Sequence, residues 1–356
     1  MQYIGKHPFP IASWPLARSK SGKYSTDIKD IRPGGQRFDP AKPLRDGLRK
    51  PDGNGQRSFD KLFLRGQQGN KDFDQNIDSP DSHLQDAEIE LLPSHSAELA
   101  ETLPAGTTLL EPGSRSLRRT NLILQAIDSQ HKIVDYYALD LDQNELEQFL
   151  RELDPGRFKY IRCHGLIGTH DDARAWITKY ENKQRPISVL SLGSAIGSMV
   201  RSEASKFWLE WSGALRKNGD QRDCHIIIAI DSCKGGGKVS KAFRDEEGRS
   251  ARFTANVLDR ANRQLGKQIF QHEDWTQQGE WEAESGRHSQ YLVPQRDIDF
   301  EGTTLVKGER ILVSHSHRYD DAEKQRLWED VQLKEVRRYM NANESYGLHV
   351  LSLRSS

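Results

Sequence analysis

From residue 107 onward the chain alternates short apolar runs with longer segments in which apolar residues recur every three or four positions. The apolar runs are TTLLE (107–111), VDYYALD (134–140), FKYIRCH (158–164), ISVLSLG (187–193) and CHIIIAID (224–231). Helical periodicity follows over 117–129, 145–153, from about 171, and over 202–215. Continuous apolar strands that alternate with helices predict a parallel sheet covered on both faces. In such a sheet, ligands bind at the carboxyl ends of the strands.

The flanking segments keep a different rhythm. Residues 1–56 are rich in Pro, Gly, Lys, Arg and Asp with little apolar periodicity, and read as an irregular or mobile arm. DAEIELL (86–92) predicts a short amphipathic helix within an N-terminal helical part of a substrate lobe, 57–100. A cofactor-binding core spans 101–240, and the rest of the lobe 241–320. In that lobe FTANVLDRANRQLG (253–266) predicts a helix ended by glycine, and 281–314 alternate like antiparallel strands with turns at Gly286 and Gly302. A helix over 322–340 and a strand, YGLHVLSL (346–353), return residues 321–356 to the core.

Composition narrows the partners. The 356 residues suffice for one large α/β domain with an elaborated lobe, or for two domains. Lys plus Arg and Asp plus Glu balance at 52 each, which argues against a protein built to bind nucleic acid or an anionic membrane. Three cysteines (Cys163, Cys224, Cys233) do not make a disulfide framework and fit a reducing compartment, and their spacing is not that of a metal site. No apolar run approaches the ~20 residues of a membrane span, and the N-terminus lacks the apolar stretch of a secretory signal. Residues 1–26 carry basic groups without an acid, faintly like a transit peptide, but Pro8, Pro10 and Pro15 spoil an amphipathic helix. The expectation is a soluble cytoplasmic protein with a small-molecule partner.

Candidate chemistry lies at the strand ends. The first strand leads through LEPGSRSLRRT (110–120) into a helix, which places Glu111, Gly113 and Ser114 at a helix N-terminus suited to an anion. The second ends in Asp140, where an acid accepts hydrogen bonds from ribose hydroxyls. The third ends in Gly165-Leu166, small and apolar enough for an adenine face, and the fourth in Gly193-Ser194, which allows close backbone approach. Taken singly, each has an ordinary reading as a turn glycine or helix cap. In sequence at successive strand ends they favour a nucleoside cofactor. GGGKV (235–239) lacks the hydroxyl residue that a phosphate-binding loop requires, and reads as a loop.

Together these blocks resemble the S-adenosylmethionine-dependent histidine-specific methyltransferases, the family of the ergothioneine-pathway enzyme and of fungal dimethylallyltryptophan N-methyltransferases. The resemblance covers roughly 58–354 and is carried by DAEIELL, LEPGSRSLRRT, VDYYALDLDQNEL, GLIGTHDDARAW, LSLGSAIGS, FTANVLDRANRQLG, GERILVSHSHRY and YGLHVLSL, with the fungal branch nearest. It implies a Rossmann-like class I methyltransferase core, a parallel sheet with helices on both faces, plus a second lobe of N-terminal helices and an antiparallel β insertion. It also implies S-adenosylmethionine as cofactor and N-methylation of an amino-acid-derived molecule in fungal secondary metabolism. Carried across, Gly113 matches the first glycine of the family's E-L-G-S-G loop and Arg119 the basic residue after it. Asp140 matches the ribose acid, Gly165-Leu166 the adenine edge and Gly193 the floor. Pro112 and Arg115 depart from the loop pattern. If the family glycine has positive φ, a side chain at Arg115 costs on the order of 1–2 kcal/mol, and its guanidinium either enters the cofactor space or points into solvent.

The amino-acid pocket is altered further. By the same resemblance, Arg65 and Ser82 stand where the family has tyrosines, Ser198 where it has asparagine, Phe243 where it has tyrosine and Ser314 where it has glutamate, while Ser316 matches the family serine. A pocket without that acid and those hydroxyls does not orient histidine in the family manner, since N-methylation depends on firm positioning of a neutral amine. Two main readings follow, beside a nucleic-acid methyltransferase that the balanced charge disfavours. One is an N-methyltransferase with another amino-acid-derived substrate, in which Arg65 pairs with a carboxylate. The other is a relative that no longer transfers methyl, or that catalyses another reaction with His83, His315 or His317 as acid–base groups, acting as a homodimer or beside an active paralogue.

Overall fold

The computed structural model describes residues 27–35, 38–53, 55–64, 83–114, 116–179, 185–217, 224–237, 239 and 249–354. Five parallel strands make the centre of the main sheet: β2 (Thr108–Pro112), β3 (Val134–Asp140), β4 (Ile161–Ile167), β5 (Ile187–Ser191) and β6 (His225–Asp231). The C-terminal hairpin β12 (Leu333–Met340) and β13 (Tyr346–Leu353) adds two antiparallel strands beside β6. With β1 (Asp27–Asp30) on the far edge, the order is β1-β4-β3-β2-β5-β6-β13-β12. Successive strands run outward from β2 in one direction and from β5 in the other. The crevice between β2 and β5 is therefore the topological switch point, where α/β sheets take their ligands.

Helices cover both faces, as the continuous apolar strands require. On one face lie α2 (His83–Thr102), α3 (Leu117–Ser129) and α4 (Gln143–Leu153), which bury Leu91, Leu99, Ile123, Ile127, Leu146 and Leu150. On the other lie α5 (His170–Ile177), α6 (Arg201–Arg216) and α8 (Asp321–Asp330), led by Trp176, Trp208, Trp211 and Trp328. A third core forms the second lobe. Here α1 (Ala41–Arg49), the turn Lys61–Leu64 and α7 (Arg249–Leu265) pack on the antiparallel strands β7 (Trp275–Glu282), β8 (Arg287–Pro294) and β11 (Ile311–His317), with β9 (Ile298–Phe300) and β10 (Thr303–Leu305) beside them. The core plus antiparallel lobe is the architecture expected from the sequence. No helix among the described residues is long and apolar enough to cross a membrane.

Three local expectations are corrected. The segment read as irregular holds β1, paired in parallel with β4 from Asp27↔His164 to Asp30↔Ile167, and α1, whose Leu44 and Leu48 are buried in the lobe core. The short helix over 86–92 continues to Thr102 through Pro93, because Leu99, Ala100 and Leu103 are buried beyond that proline. This burial outweighs the ~3 kcal/mol that an interior proline costs. The helix expected over 322–340 stops at Asp330, and 333–340 form β12. Gln332, at φ +58°, breaks the helix, and pairing with β13 satisfies the backbone that follows.

Gly165 also serves packing. An added Cβ there would lie 3.0 Å from each of Ile28, Leu146 and Leu150. Gly165→Ala is therefore expected to destabilise the fold by about 1–3 kcal/mol through overpacking, read as a lower urea midpoint with unchanged slope.

Candidate cofactor and substrate site

At the end of β2 the chain turns sharply. Gly113 takes φ +72°, a conformation that favours glycine, and its N–H donates to Leu139 O at 2.8 Å, tying the turn to the end of β3. Helix α3 then starts behind Ser116, its N-cap, which makes no side-chain hydrogen bond to the first turn. The N-terminal dipole end of α3 thus faces the crevice without a cap from the Ser116 side chain, a fit for the carboxylate of a bound amino-acid group. Asp140 is half-buried at the end of β3. One of its oxygens accepts the N–H of Asp142 at 3.0 Å, and no described residue engages the other, as suits an acid that receives ribose hydroxyls. These features fit a nucleoside cofactor with an amino-acid tail.

Glu111 does not face the crevice. Its buried carboxyl accepts the hydroxyls of Tyr136 at 2.5 Å and Thr120 at 2.9 Å, under the loop, while Ser114 Oγ donates to its backbone carbonyl at 2.9 Å. Burial raises its pKa from 4.5 to about 7, against the hydroxyl bonds and Arg119, which lower it. Glu111 and Ser114 therefore brace the loop from below. Gly165 and Leu166 are also placed differently from the expectation. Both lie inside β4, which runs on to Ile167. Gly165 faces Leu146 and Leu150, and Leu166 is fully buried in the core of the other face, so their side-chain directions lead into packing and not to the strand's end.

Gly193 and Arg119 are brought together, by a residue that the sequence did not single out. Gly193 has φ +68°, and an added Cβ would lie 2.7 Å from Arg119 Nη1. Glu88, buried on α2, pairs with Arg119 Nε, accepts the Gly193 N–H at 3.0 Å and accepts the Tyr346 hydroxyl from β13. Burial and the adjoining carboxylate push the Tyr346 phenol well above its usual range, so it stays a donor. The next residue, Ser194, is left-handed at φ +52°, and its Oγ accepts the Asp231 N–H at 3.0 Å.

A second buried charge pair joins the lobe to the core. Asp231, at the end of β6, meets Arg318 Nε at 2.8 Å, with the two side chains 0% and 1% exposed. Arg318 Nη1 in turn donates to Ser316 Oγ at 2.5 Å. Ser314 lies two residues before Ser316 in β11, beyond the bulge at 312–314, and donates to Gln290 Oε1 at 3.0 Å. Ser198 ends the turn Ala195–Ser198, which presses on β11, since a Cβ at Gly197 would lie 2.8 Å from His317 O. The Ser198 hydroxyl donates to Ala195 O within its own turn at 2.7 Å. Ser198, Ser314 and Ser316 thus gather where the lobe meets the core. Arg65, Ser82, Phe243 and Arg115, and the side chain of His83, lie outside the described residues.

The two histidines of β11 are poor proton acceptors. Arg201, which can only donate, lies 2.8 Å from His317 Nδ1, so that nitrogen is the acceptor and the ring is neutral. Burial first, and then Arg201, lower its pKa to about 3. His315 is also lowered, chiefly by burial, and its Nδ1 lies 3.0 Å from Ser289 Oγ.

The Rossmann-like sheet, its switch-point crevice and the glycine turn before α3 match the class I methyltransferase fold. The family model described as histidine-specific, S-adenosylmethionine-dependent methyltransferase matches residues 41–353, and the chain belongs to that family. It is 33% identical over 339 residues to ergothioneine biosynthesis protein 1 of Neurospora crassa, covering 95% of this chain but 38% of the relative. It is 30% identical over 289 residues to N-methyltransferase dtpB of Aspergillus flavus, covering 79% and 80% respectively. To 4-dimethylallyltryptophan N-methyltransferase easF of Epichloe festucae var. lolii it is 27% identical over 300 residues, covering 79% and 86%. S-adenosylmethionine is the cofactor of the family.

Two outcomes test the site. Glu111 binds its proton more tightly folded than unfolded, so its contribution to stability is full below pH 4.5 and is lost as pH rises through about 7. Glu111→Gln should flatten the pH dependence of the urea midpoint across that window. Asp231→Ala should cost about 3–5 kcal/mol by stranding a buried guanidinium, measured by chemical denaturation.

Proposed function

We propose that this chain is an S-adenosylmethionine-dependent N-methyltransferase that acts on an amino-acid-derived amine other than histidine. The observation that carries this reading is the contrast between the two halves of the site. The cofactor side keeps the Gly113 turn, a helix end that Ser116 leaves without a side-chain cap, and an Asp140 oxygen that no described residue engages. The substrate side presents, in place of the family's glutamate, Ser314 bonded to Gln290, and beside it Ser316 bonded to Arg318. The names of the Aspergillus and Epichloe relatives, an N-methyltransferase and a prenylated-tryptophan N-methyltransferase, support an amine substrate.

When bound, the cofactor supplies an electrophilic methyl group on a sulfonium. The chain's own part is to hold and orient. The α3 N-terminus and Arg119 take the amino-acid end, Asp140 the ribose, and the Gly193 turn leaves room for the Arg119 guanidinium. The amine must arrive neutral to present its lone pair. His317, with a pKa of about 3, is not the group that takes its proton near pH 7.

A second reading, a methyltransferase-fold protein that no longer transfers methyl, draws on Arg119 being already paired with Glu88. Calorimetry with S-adenosylmethionine and S-adenosylhomocysteine on the natural chain and on Arg115→Gly separates the two. The proposal expects binding by the natural chain with a dissociation constant on the order of micromolar, about −8 kcal/mol. It also expects methyl transfer to an amino-acid or indole amine in preference to histidine. Binding that appears only after Arg115→Gly, or methylation of histidine above all other amines, would overturn it.

A further inference from the structure

Glu88 has the marks of a charge placed for a purpose beyond its own helix. It lies on α2, among the apolar positions Ala87, Leu91 and Leu92 that bury the helix against the sheet, and is 3% exposed. A carboxylate in such a place is costly unless compensated. Its compensation comes from three elements that the fold brings to the crevice: Arg119 on α3, the Gly193 N–H after β5, and the Tyr346 hydroxyl on β13. Two of these three partners are the residues assigned to the amino-acid end and the floor of the cofactor site.

We propose that Glu88 is a positioning residue for the amino-acid end of S-adenosylmethionine: it holds the Arg119 guanidinium over Gly193 and fixes the Gly193 peptide. The inference rests on the cofactor reading above. The geometry supplies the reason. With Nε directed at Glu88, the guanidinium plane is fixed, and Nη1 lies 2.7 Å from the place a Cβ of residue 193 would take. A planar, pre-oriented guanidinium loses less entropy on meeting a carboxylate than a mobile one. The same carboxylate receives the Gly193 N–H, so the left-handed turn at φ +68° and the orientation of Arg119 depend on one group.

Glutamine at position 88 keeps an oxygen for Gly193 and Tyr346 but turns an N–H donor toward Arg119, which can accept nothing. Arg119 is then displaced while the fold's other bonds persist. The test is calorimetric binding of two probes: S-adenosylhomocysteine, which has the amino-acid tail, and 5′-methylthioadenosine, which lacks it. Glu88→Gln should weaken S-adenosylhomocysteine about tenfold or more, the worth of one charge-assisted hydrogen bond, and leave methylthioadenosine within about twofold. Tyr346→Phe removes a bond on the side of Glu88 away from Arg119. It should lower the melting temperature without changing the ratio of the two affinities.

Equal weakening of both probes by Glu88→Gln, or an unchanged ratio, would show a structural role alone and overturn the proposal. Should Glu88→Gln fail to fold, Glu88→Asp keeps the charge but draws it back from Arg119. The same selective loss of S-adenosylhomocysteine is expected, and its absence overturns the proposal equally. A natural chain that binds methylthioadenosine but not S-adenosylhomocysteine overturns the assignment of Glu88 while leaving a nucleoside site. A chain that binds neither overturns the cofactor reading itself.

Discussion

Taking a carboxylate out of water costs several kcal/mol unless its charge is matched where it sits. Among the described residues, three buried ones, Glu88, Glu111 and Asp231, lie around the carboxyl ends of the central strands. Each is matched differently. Glu88 and Asp231 each meet a guanidinium, whereas Glu111 meets hydroxyls and so holds its proton up to about pH 7. The ends of β2, β5, β6 and β11 are therefore set relative to one another by directional polar bonds, and the three apolar cores hold the layers behind them. Apolar packing tolerates small slips, while a buried ion pair does not. On the proposed reading, this is the rim on which a reacting methyl group and an amine are aligned.

The lobe meets the core through the same kind of contact. Arg318 bonds Asp231 of the core and Ser316 of the lobe, and Arg201 reaches both the neutral ring of His317 and Glu323 on α8. On the proposed substrate side, among the described residues, hydroxyls and an amide answer one another, Ser314 to Gln290 and Gln290 to Ser250. Such a surface discriminates by shape and by unfilled hydrogen bonds more than by charge.

Much of this was legible in the sequence because strands buried on both faces must be continuously apolar. ISVLSLG and CHIIIAID could hardly be anything else, and the positive φ of Gly113 and Gly193 follows from their place after a strand. What escaped has physical reasons. Glu88 sits in an amphipathic stretch where a charge ordinarily reads as the solvated face, and its partners come from residues 31 to 258 positions away. LKEVRRYM suits a helix as well as a strand until β13 provides an edge to pair with. Gly165 looks like a ligand-facing glycine when only its own strand is in view, yet the side chains it accommodates come from α4 and from Ile28, far earlier in the chain.

That last neighbour gives β1 a wider meaning. The strand is four residues long and lies before residue 41, where the match to the family begins. The opposite edge of the sheet, β12, carries Lys334, Arg337 and Arg338 exposed along it, a charged border that discourages a second sheet from docking. β4 has no such border of its own; its sequence, IRCHGLI, is apolar at its carboxyl half. β1 covers that half. A chain cut before residue 41 would leave it open, and the first symptom would be colloidal, with molecules adhering edge to edge.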